Sequence, residues 1–189
     1  MKIEREELAI RGAQPQDARQ LAAWWNDSAV MAHAGFPKGL GRTEEQVRAE
    51  IAGNETGPGQ RCMIEIQGRA VGEMVFRFPE AGAAEVGIKI CEPEFQNRGF
   101  GPRLLAMLMD SLFEGDAAGS RPPVEKILLS TDLENTRAQH VYEDKLGFCR
   151  VRVARACWID QLGRPRDAVE YELSRTAWRL RKEERLKNV

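Results

Sequence analysis

A strand, a glycine-containing turn and a helix follow one another in the middle of the chain, and this unit constrains the fold most. Apolar and polar residues alternate at 84–90, which is the pattern of a strand with one buried face. Apolar residues at 104–113 recur every three or four positions, as in an amphipathic helix. The turn 96–101 lies between them, so we expect a helix that begins directly after a glycine turn and packs on a sheet.

The turn reads Gln-Asn-Arg-Gly-Phe-Gly and predicts an anion site. The first N–H groups of a helix have no intrahelical partner, and the helix dipole is positive there. Gly99 and Gly101 lack a Cβ, which lets an anion approach the main chain, and Arg98 adds a positive charge. No Gly-Lys-Ser/Thr follows Gly101, and Leu104 stands where a dinucleotide motif has its third glycine. These two departures weaken both nucleotide-binding motifs.

The order of the remaining elements predicts the class of fold. The pattern is a strand, two helices, three strands, a helix, a strand, a helix and two strands. Such an order requires an α/β (α+β) fold with a mixed, mostly antiparallel seven-stranded sheet and helices on both faces. We expect the first strand at 8–11, a loop at 28–42, and a last hairpin from strands at 148–160 and 168–173. The 189 residues suit a single domain, 1–189, whose core covers about residues 8–178.

Composition limits the partners of the chain. Twenty-eight basic and 29 acidic residues give a net charge of −1, which supplies no overall field to attract nucleic acid. No apolar run is long enough for a membrane span, and the charged N-terminus does not resemble a signal peptide, so we expect a cytoplasmic protein. The four cysteines are far apart and there are only two histidines. We therefore expect neither disulfides nor a metal site.

Two motifs together resemble a known family. The pyrophosphate loop of the GNAT superfamily of N-acetyltransferases, Gln/Arg-x-x-Gly-x-Gly/Ala, is matched by Gln96, Gly99 and Gly101. The second signature of that superfamily, an Asn followed by Ala, Tyr and Gly-Phe, is matched by Asn135, Ala138, Tyr142, Gly147 and Phe148. The resemblance extends from Leu8 to about Trp178. The two ends of this range look most like the subgroup of ribosomal-protein N-terminal acetyltransferases and spermidine acetyltransferases.

The resemblance implies that acetyl-CoA binds as co-substrate. The main chain of Lys89, Ile90 and Cys91 would pair with the pantetheine arm, and Asn135 would contact the cofactor near its thioester. The pyrophosphate would be held by the whole turn: Gln96, Asn97, Arg98, Gly99, Phe100 and Gly101. Pro102 has no N–H, so one donor of the first helical turn is missing, although proline suits the first position of a helix. We expect the cofactor to remain bound, and the effect of Pro102 on its affinity stays open.

Aminolysis of a thioester needs a group that takes a proton from the amine and an acid for the leaving thiolate. Tyr142 is the candidate acid, because the tyrosine at this place in the superfamily often has that role; the alternative is an ordinary core aromatic. Glu85 is the candidate base, since it projects from the strand face opposite Val86 and resembles the glutamate base of some members. A water chain, with Glu85 as a solvated strand residue, is the alternative.

The resemblance places the acceptor amine among the first two helices, the loop 28–42 and the final hairpin. The candidate acceptor-binding residues are Trp25, Asn26, Phe36 and Asp160, and further candidates are Trp24, Asp27, His33, Glu73 and Glu170. Each also has a structural explanation, namely core packing for a tryptophan and solvation for an acidic residue.

The identity of the acceptor stays open between a protein N-terminus and a small amine such as a polyamine or an aminoglycoside. The exposed strand edges beside the last hairpin favour a homodimer. Two other functions are compatible with the sequence: a catalytically weak acyl-CoA-binding sensor or interaction module, and a nucleotide-binding protein.

Overall fold

The computed structural model describes residues 1–54, 59–115 and 123–187. This part of the chain forms one sheet in the order β1-β2-β3-β4-β5-β6-β8-β7. The strands are β1 (Lys2–Arg5), β2 (Leu8–Gly12), β3 (Gly59–Ile66), β4 (Arg69–Arg77), β5 (Ala83–Ile90), β6 (Lys126–Asp132), β7 (Cys149–Ile159) and β8 (Pro165–Ser174). Only β5 and β6 pair in parallel, so the prediction of a mixed, mostly antiparallel sheet is confirmed.

The helices are α1 (Ala18–Asn26), α2 (Ser28–Met31), α3 (Glu44–Asn54), α4 (Phe100–Glu114), α5 (Thr136–His140) and α6 (Arg175–Lys187). A π-helical segment, Val141–Leu146, continues α5. Short 3-10 helices lie at Pro15–Asp17, Ala32–Ala34 and Pro93–Phe95. Within the described ranges, no helix is long and apolar enough to cross a membrane.

The sheet has one strand more than the seven predicted. The additional strand is β1, which contains a single apolar residue, Ile3, and therefore lacks the alternation by which strands are recognised. It pairs with β2 through a tight turn in which Glu6 has φ 53°. The predicted loop 28–42 contains the four-residue helix α2, which is too short to show a helical period. The last strand begins at Pro165, inside the predicted turn, because proline is tolerated as the first residue of a strand.

Two hydrophobic cores cover the two faces of the sheet. Cys62 and Ile64 of β3 pack in the core beneath α4, whereas Met63 packs beneath α1 and α3. This alternation follows from the two-residue period of a strand. Helices therefore lie on both faces, as predicted.

The pairing between β5 and β6 is short and decides where a ligand can bind. It consists of three residue pairs, from Ala83 with Lys126 to Glu85 with Leu128. Beyond them β5 continues against β4 as far as Ile90, and β6 continues against β8 as far as Asp132. The facing edges of 86–90 and 129–132 are not paired with each other, so the sheet opens there.

A buried aspartate on α4 fixes the C-terminal helix. Asp110 Oδ1 accepts hydrogen bonds of 2.8 Å from Trp178 Nε1 and of 2.8 Å from Lys182 Nζ on α6. Its Oδ2 lies 3.4 Å from Arg5 Nη2 of β1. Trp178 is itself buried in the core beneath α4. The predicted helical tail is thus bound to the fold by one buried carboxylate.

We expect Asp110→Ala to lower the free energy of unfolding by about 1–3 kcal/mol, because it leaves the buried Trp178 N–H without an acceptor. Urea denaturation at neutral pH measures this loss. The control is Asp144→Ala, which removes an exposed carboxylate that pairs with His140 and should cost less than about 0.5 kcal/mol. Equal losses in the two variants would contradict the anchoring role of Asp110.

Candidate active-site cleft

A cleft of about 880 Å³ lies where β5 and β6 part. It runs from Ala29, Val30 and His33, at α2, past the open edge of β5 to the beginning of α4 and the π-helical segment. A volume of this size is in the range of small-molecule and cofactor sites. The cleft therefore joins the face that carries α1 and α2 to the face that carries α4.

The main chain of β5 forms one wall of the cleft. Lys89 and Ile90 line it, and past Glu85 their strand has no partner on the β6 side. Backbone N–H and C=O groups on that edge are available to a ligand. Cys91 is placed differently: its N–H donates to Val71 O at 2.8 Å, and its thiol is buried in the core beneath α1. Burial raises the pKa of the Cys91 thiol to about 12.

The glycine turn forms an open cradle at the start of α4. Asn97 and Gly99 have left-handed backbones, with φ of 58° and 79°, and Gly99 is the N-cap of the helix. Gln96 Nε2 donates to Ile90 O at 2.9 Å, which ties the turn to the end of β5. Outside its own helix and its chain neighbours, a Cβ on Gly101 would have Ile90 Cδ1 as its nearest atom, at 4.0 Å. The space in front of the first helical N–H groups is thus open to an anion.

The positive side chain at this cradle is not the one that the sequence suggested. Arg98 turns away from the cleft: its Nη1 lies 3.4 Å from Glu94 O and its guanidinium lies 5.6 Å from the centre of the Phe100 ring. Arg137 of α5 lines the cleft instead, and its Nη1 donates to Asn97 Oδ1 at 2.9 Å. Sequence reasoning missed Arg137, although its place two residues after Asn135 was a usable signal.

Asn135 joins β6 to α5 at the edge of the cleft. Its Oδ1 accepts a hydrogen bond of 3.2 Å from Ala138 N as the N-cap of α5, and its Nδ2 donates to Thr131 Oγ1 at 3.2 Å. A capping asparagine satisfies one of the first N–H groups of a helix. The side chain therefore sets the direction of α5 and also lines the cleft.

Tyr142 reaches the cleft from the π-helical segment and is 9% exposed. Its ring packs 5.6 Å from the ring of Tyr171 and 6.1 Å from that of Phe148. Burial raises the pKa of Tyr142 to about 12. A tyrosine is protonated at neutral pH even at its ordinary pKa of about 10, so the hydroxyl has a proton to donate. Tyr171, in contrast, donates its own hydroxyl to Glu143 Oε1 at 2.7 Å.

Glu85 lies in the paired part of β5, before the strand reaches the cleft. Its two carboxylate oxygens accept hydrogen bonds from Arg77 Nε at 2.8 Å and Arg77 Nη2 at 2.9 Å. The structure does not bring Glu85 among the residues that line the cleft. Its role as base stays a prediction.

A smaller cavity of about 250 Å³ adjoins the cleft and shares His33, Asp132 and Asn135 with it. Asp160 lines this cavity but is committed to the turn between β7 and β8. Its carboxylate accepts hydrogen bonds of 2.9 Å from each of Leu162 N, Arg164 N and Arg164 Nε. These contacts with the turn lower the pKa of Asp160, chiefly through the Arg164 amide.

The other three predicted acceptor residues line neither cavity. Trp25 is buried and donates from Nε1 to Glu73 Oε1 at 3.0 Å. Asn26 holds the main chain of Arg42 through hydrogen bonds of 2.8 Å and 2.9 Å. Phe36 is 38% exposed on the surface. Of the further candidates, His33 and Glu170 line the cleft and Glu73 does not. The acceptor side is also lined by residues that the sequence did not single out: Ala29, Val30, Ala34, Cys157, Trp158 and Ala168.

Comparison with known proteins assigns the family. The family model for the acetyltransferase (GNAT) domain matches residues 7–149. The chain belongs to the GNAT family. This confirms the resemblance stated from the sequence and places the chain in a family of acyltransferases.

One curated relative agrees with this assignment. A lysine N-acyltransferase of Mycobacterium sp. (strain MCS), MbtK, is 28% identical over 148 residues, which are 73% of this chain and 58% of that protein. The chain thus matches less than two thirds of the length of this relative.

Two solved structures are similar in fold. A spermidine N-acetyltransferase from Vibrio cholerae, in complex with CoA and spermine, has a TM-score of 0.78 at 20% identity and covers 92% of this chain and 99% of its own. RimL, a ribosomal L7/L12 α-N-protein acetyltransferase in complex with CoA, has a TM-score of 0.78 at 19% identity, over 94% and 99% of the two chains. At these identities the likeness shows the fold.

Among the described residues, no group of three or more His, Cys, Asp or Glu side chains could hold a metal ion.

Gly101 provides a test of the cradle. We expect Gly101→Glu to weaken CoA binding by about 30-fold or more. The new carboxylate would lie beside the negatively charged diphosphate of CoA, and such a pair of like charges costs about 2 kcal/mol or more. The fold should survive, since a glutamate in the first turn of a helix is favourable. Gly101→Ala is the matched control, and it should keep its CoA affinity within about fivefold because the open space accepts a methyl group. Calorimetry measures both, and equal affinities in the two variants would contradict an anion site here.

Proposed function

We propose that this protein transfers an acetyl group from acetyl-CoA to a primary amine by direct attack of the amine in a ternary complex. One observation carries the proposal: a single cleft joins the open edge of β5, the cradle at Gly99 and Gly101, and the side chain of Tyr142. A bound acetyl thioester supplies an activated acyl carbon. The three features correspond to what such a reaction needs, namely an extended binding edge, an anion site and an acid.

Each part of the cofactor has a matching group in the chain. The main chain of Lys89 and Ile90 offers the unpaired N–H and C=O groups that an amide-containing arm requires. The first N–H groups of α4, with Arg137 beside them, provide the electropositive site for a diphosphate. Asn135 lies between these regions, where it lines both the cleft and the smaller cavity.

Tyr142 is the proposed general acid. A thiolate that leaves an acyl carbon is stabilised by a proton donor within hydrogen-bond reach. The Tyr142 hydroxyl is protonated at neutral pH, and burial raises its pKa to about 12. Glu85 stays the proposed base; acting as one would require it to exchange its contacts with Arg77. A water chain through the cleft is the alternative route for the proton.

The acceptor enters from the side of α2, where the smaller cavity adjoins the cleft. The similar solved structures are of a spermidine N-acetyltransferase and of a ribosomal protein acetyltransferase, so both small amines and a protein N-terminus are acceptor classes in this fold. A cytoplasmic location and a homodimer stay predictions for this chain.

The two tyrosines of the chain allow a matched test of the acid. We expect Tyr142→Phe to lower kcat about 100-fold or more, because a general acid contributes about that factor, while CoA affinity changes little. Tyr171→Phe removes a hydroxyl that bonds Glu143 outside the cleft, and it should change kcat less than about threefold. Release of CoA thiol with an amine panel is the readout. Similar kcat values for the two variants would contradict the role of Tyr142, and CoA binding without any thiol release by the wild-type protein would favour a sensor.

A further inference from the structure

The side chain of Lys89 places a cation in the acceptor half of the cleft, the half that is lined by Ala29, Val30 and His33. It leaves β5 on the face opposite Ile88 and Ile90, so it points toward α2 rather than α4. Its Nζ lies 3.0 Å from Met31 Sδ and 3.4 Å from Glu73 Oε1. The side chain is 26% exposed and lines the cleft. An ammonium group is thus held beside the open edge of β5.

The ammonium of Lys89 belongs to a cluster of two cations and two carboxylates, and it is the member that lines the cleft. Its partner Glu73 is 5% exposed, and its carboxylate also accepts hydrogen bonds from Arg61 Nη1 at 2.5 Å and Trp25 Nε1 at 3.0 Å. One buried negative charge is therefore shared between two cations, and the shorter contact goes to Arg61. Glu50 also pairs with Arg61, at 3.2 Å, but it lies on α3 away from the cleft. Positive charge that is partly removed from water attracts an anion more strongly than it would on the surface.

The carboxylates of the two cavities are already paired with arginines. Asp132 and Glu134 each lie 2.7 Å from Arg166, Asp160 lies 2.9 Å from Arg164, and Glu170 lies 2.7 Å from Arg152. In the described part of the chain, no other Asp or Glu lines either cavity. A polycation would have to replace a guanidinium at each of these carboxylates. Each carboxylate of the acceptor half is thus paired with an arginine, and Asp132 and Glu134 share one, Arg166.

We propose that Lys89 is a specificity-determining residue that selects primary amines carrying a carboxylate on the same molecule, such as free basic amino acids, over polyamines. The inference rests on the proposed function and names its substrate class. The ammonium of Lys89 has three donors, so it can bond a substrate carboxylate while it keeps its contact with Glu73. A second positive charge on the acceptor would instead meet Lys89 as a like charge.

Two pairs of amines test the proposal, because the members of each pair differ by one carboxylate: lysine with cadaverine, and 6-aminohexanoate with pentylamine. Thiol release from acetyl-CoA gives kcat/KM for each amine, with spermidine as a further comparison. We expect the wild-type protein to favour the carboxylate member by about tenfold or more, which is the effect of one hydrogen bond between charged groups. Lys89→Met should bring both ratios close to one.

Two further variants separate specificity from structure. Lys89→Arg keeps the positive charge and should retain most of the preference, whereas Glu170→Gln removes a rim carboxylate and should leave the ratio unchanged. The CoA affinity of Lys89→Met should match that of the wild type, because the main chain of Lys89 faces the cofactor. If Glu170→Gln abolishes the preference for the carboxylate member and Lys89→Met retains it, the proposal is overturned.

The outcomes also distinguish the inference from the proposed function. Turnover of cadaverine or spermidine as efficient as that of lysine would overturn the inference and leave acetyl transfer in place. Absence of thiol release with every amine would overturn the proposed function. The inference is then tested by calorimetry on the CoA-loaded protein: tighter binding of 6-aminohexanoate than of pentylamine, lost in Lys89→Met, would support it, and equal binding would overturn it.

Discussion

The short pairing between β5 and β6 is the constraint on which the rest of the site depends. Three residue pairs join the strands, and each strand then continues with a different neighbour. Within a sheet, an unpaired backbone edge is costly unless water or a ligand satisfies it. The opening therefore creates both a space and a row of donors and acceptors, and it does so between two helical layers that reach it from opposite faces.

The two ends of the cleft have different electrostatic characters. At the end near α4, the helix dipole, the open main chain at Gly101 and the Arg137 side chain favour an anion. At the end near α2, Lys89 is held by a buried glutamate that also serves Arg61. Tyr142 lines the cleft with a largely buried side chain, and its hydroxyl is protonated at neutral pH. In the proposed reaction, an anionic cofactor and an amine thus approach from opposite faces and meet beside the tyrosine.

Features encoded within one contiguous segment were predictable from the sequence. The turn at Gln96 to Gly101 and the helix after it follow from local chemistry and periodicity, and the structure places Gly99, Gly101 and Tyr142 on the cleft. The alternation at 84–90 correctly predicted which residues share a face of β5. It carries no information on how far the strand stays paired with β6. Glu85 was therefore predicted at the active site, whereas β5 begins to line the cleft only at Gly87.

Features that depend on contacts between distant segments were not predictable. Arg98 lies in the motif but points away, whereas Arg137, 40 residues from its partner Asn97, lines the cleft. Trp25 and Asp160 have the chemistry of ligand-binding residues, yet Glu73 and the turn of the last hairpin occupy their polar groups. Strand β1 lacked any periodic signal because an edge strand of four residues buries little apolar surface.

Hydrogen–deuterium exchange with and without CoA tests the central claim most directly, because it reports on the backbone groups that the opening leaves unpaired. We predict that CoA slows exchange within residues 87–90 and at the amides of 97–101, while strand β3, which has a partner strand on each edge, is unaffected. Binding of CoA that leaves exchange in both segments unchanged would contradict it.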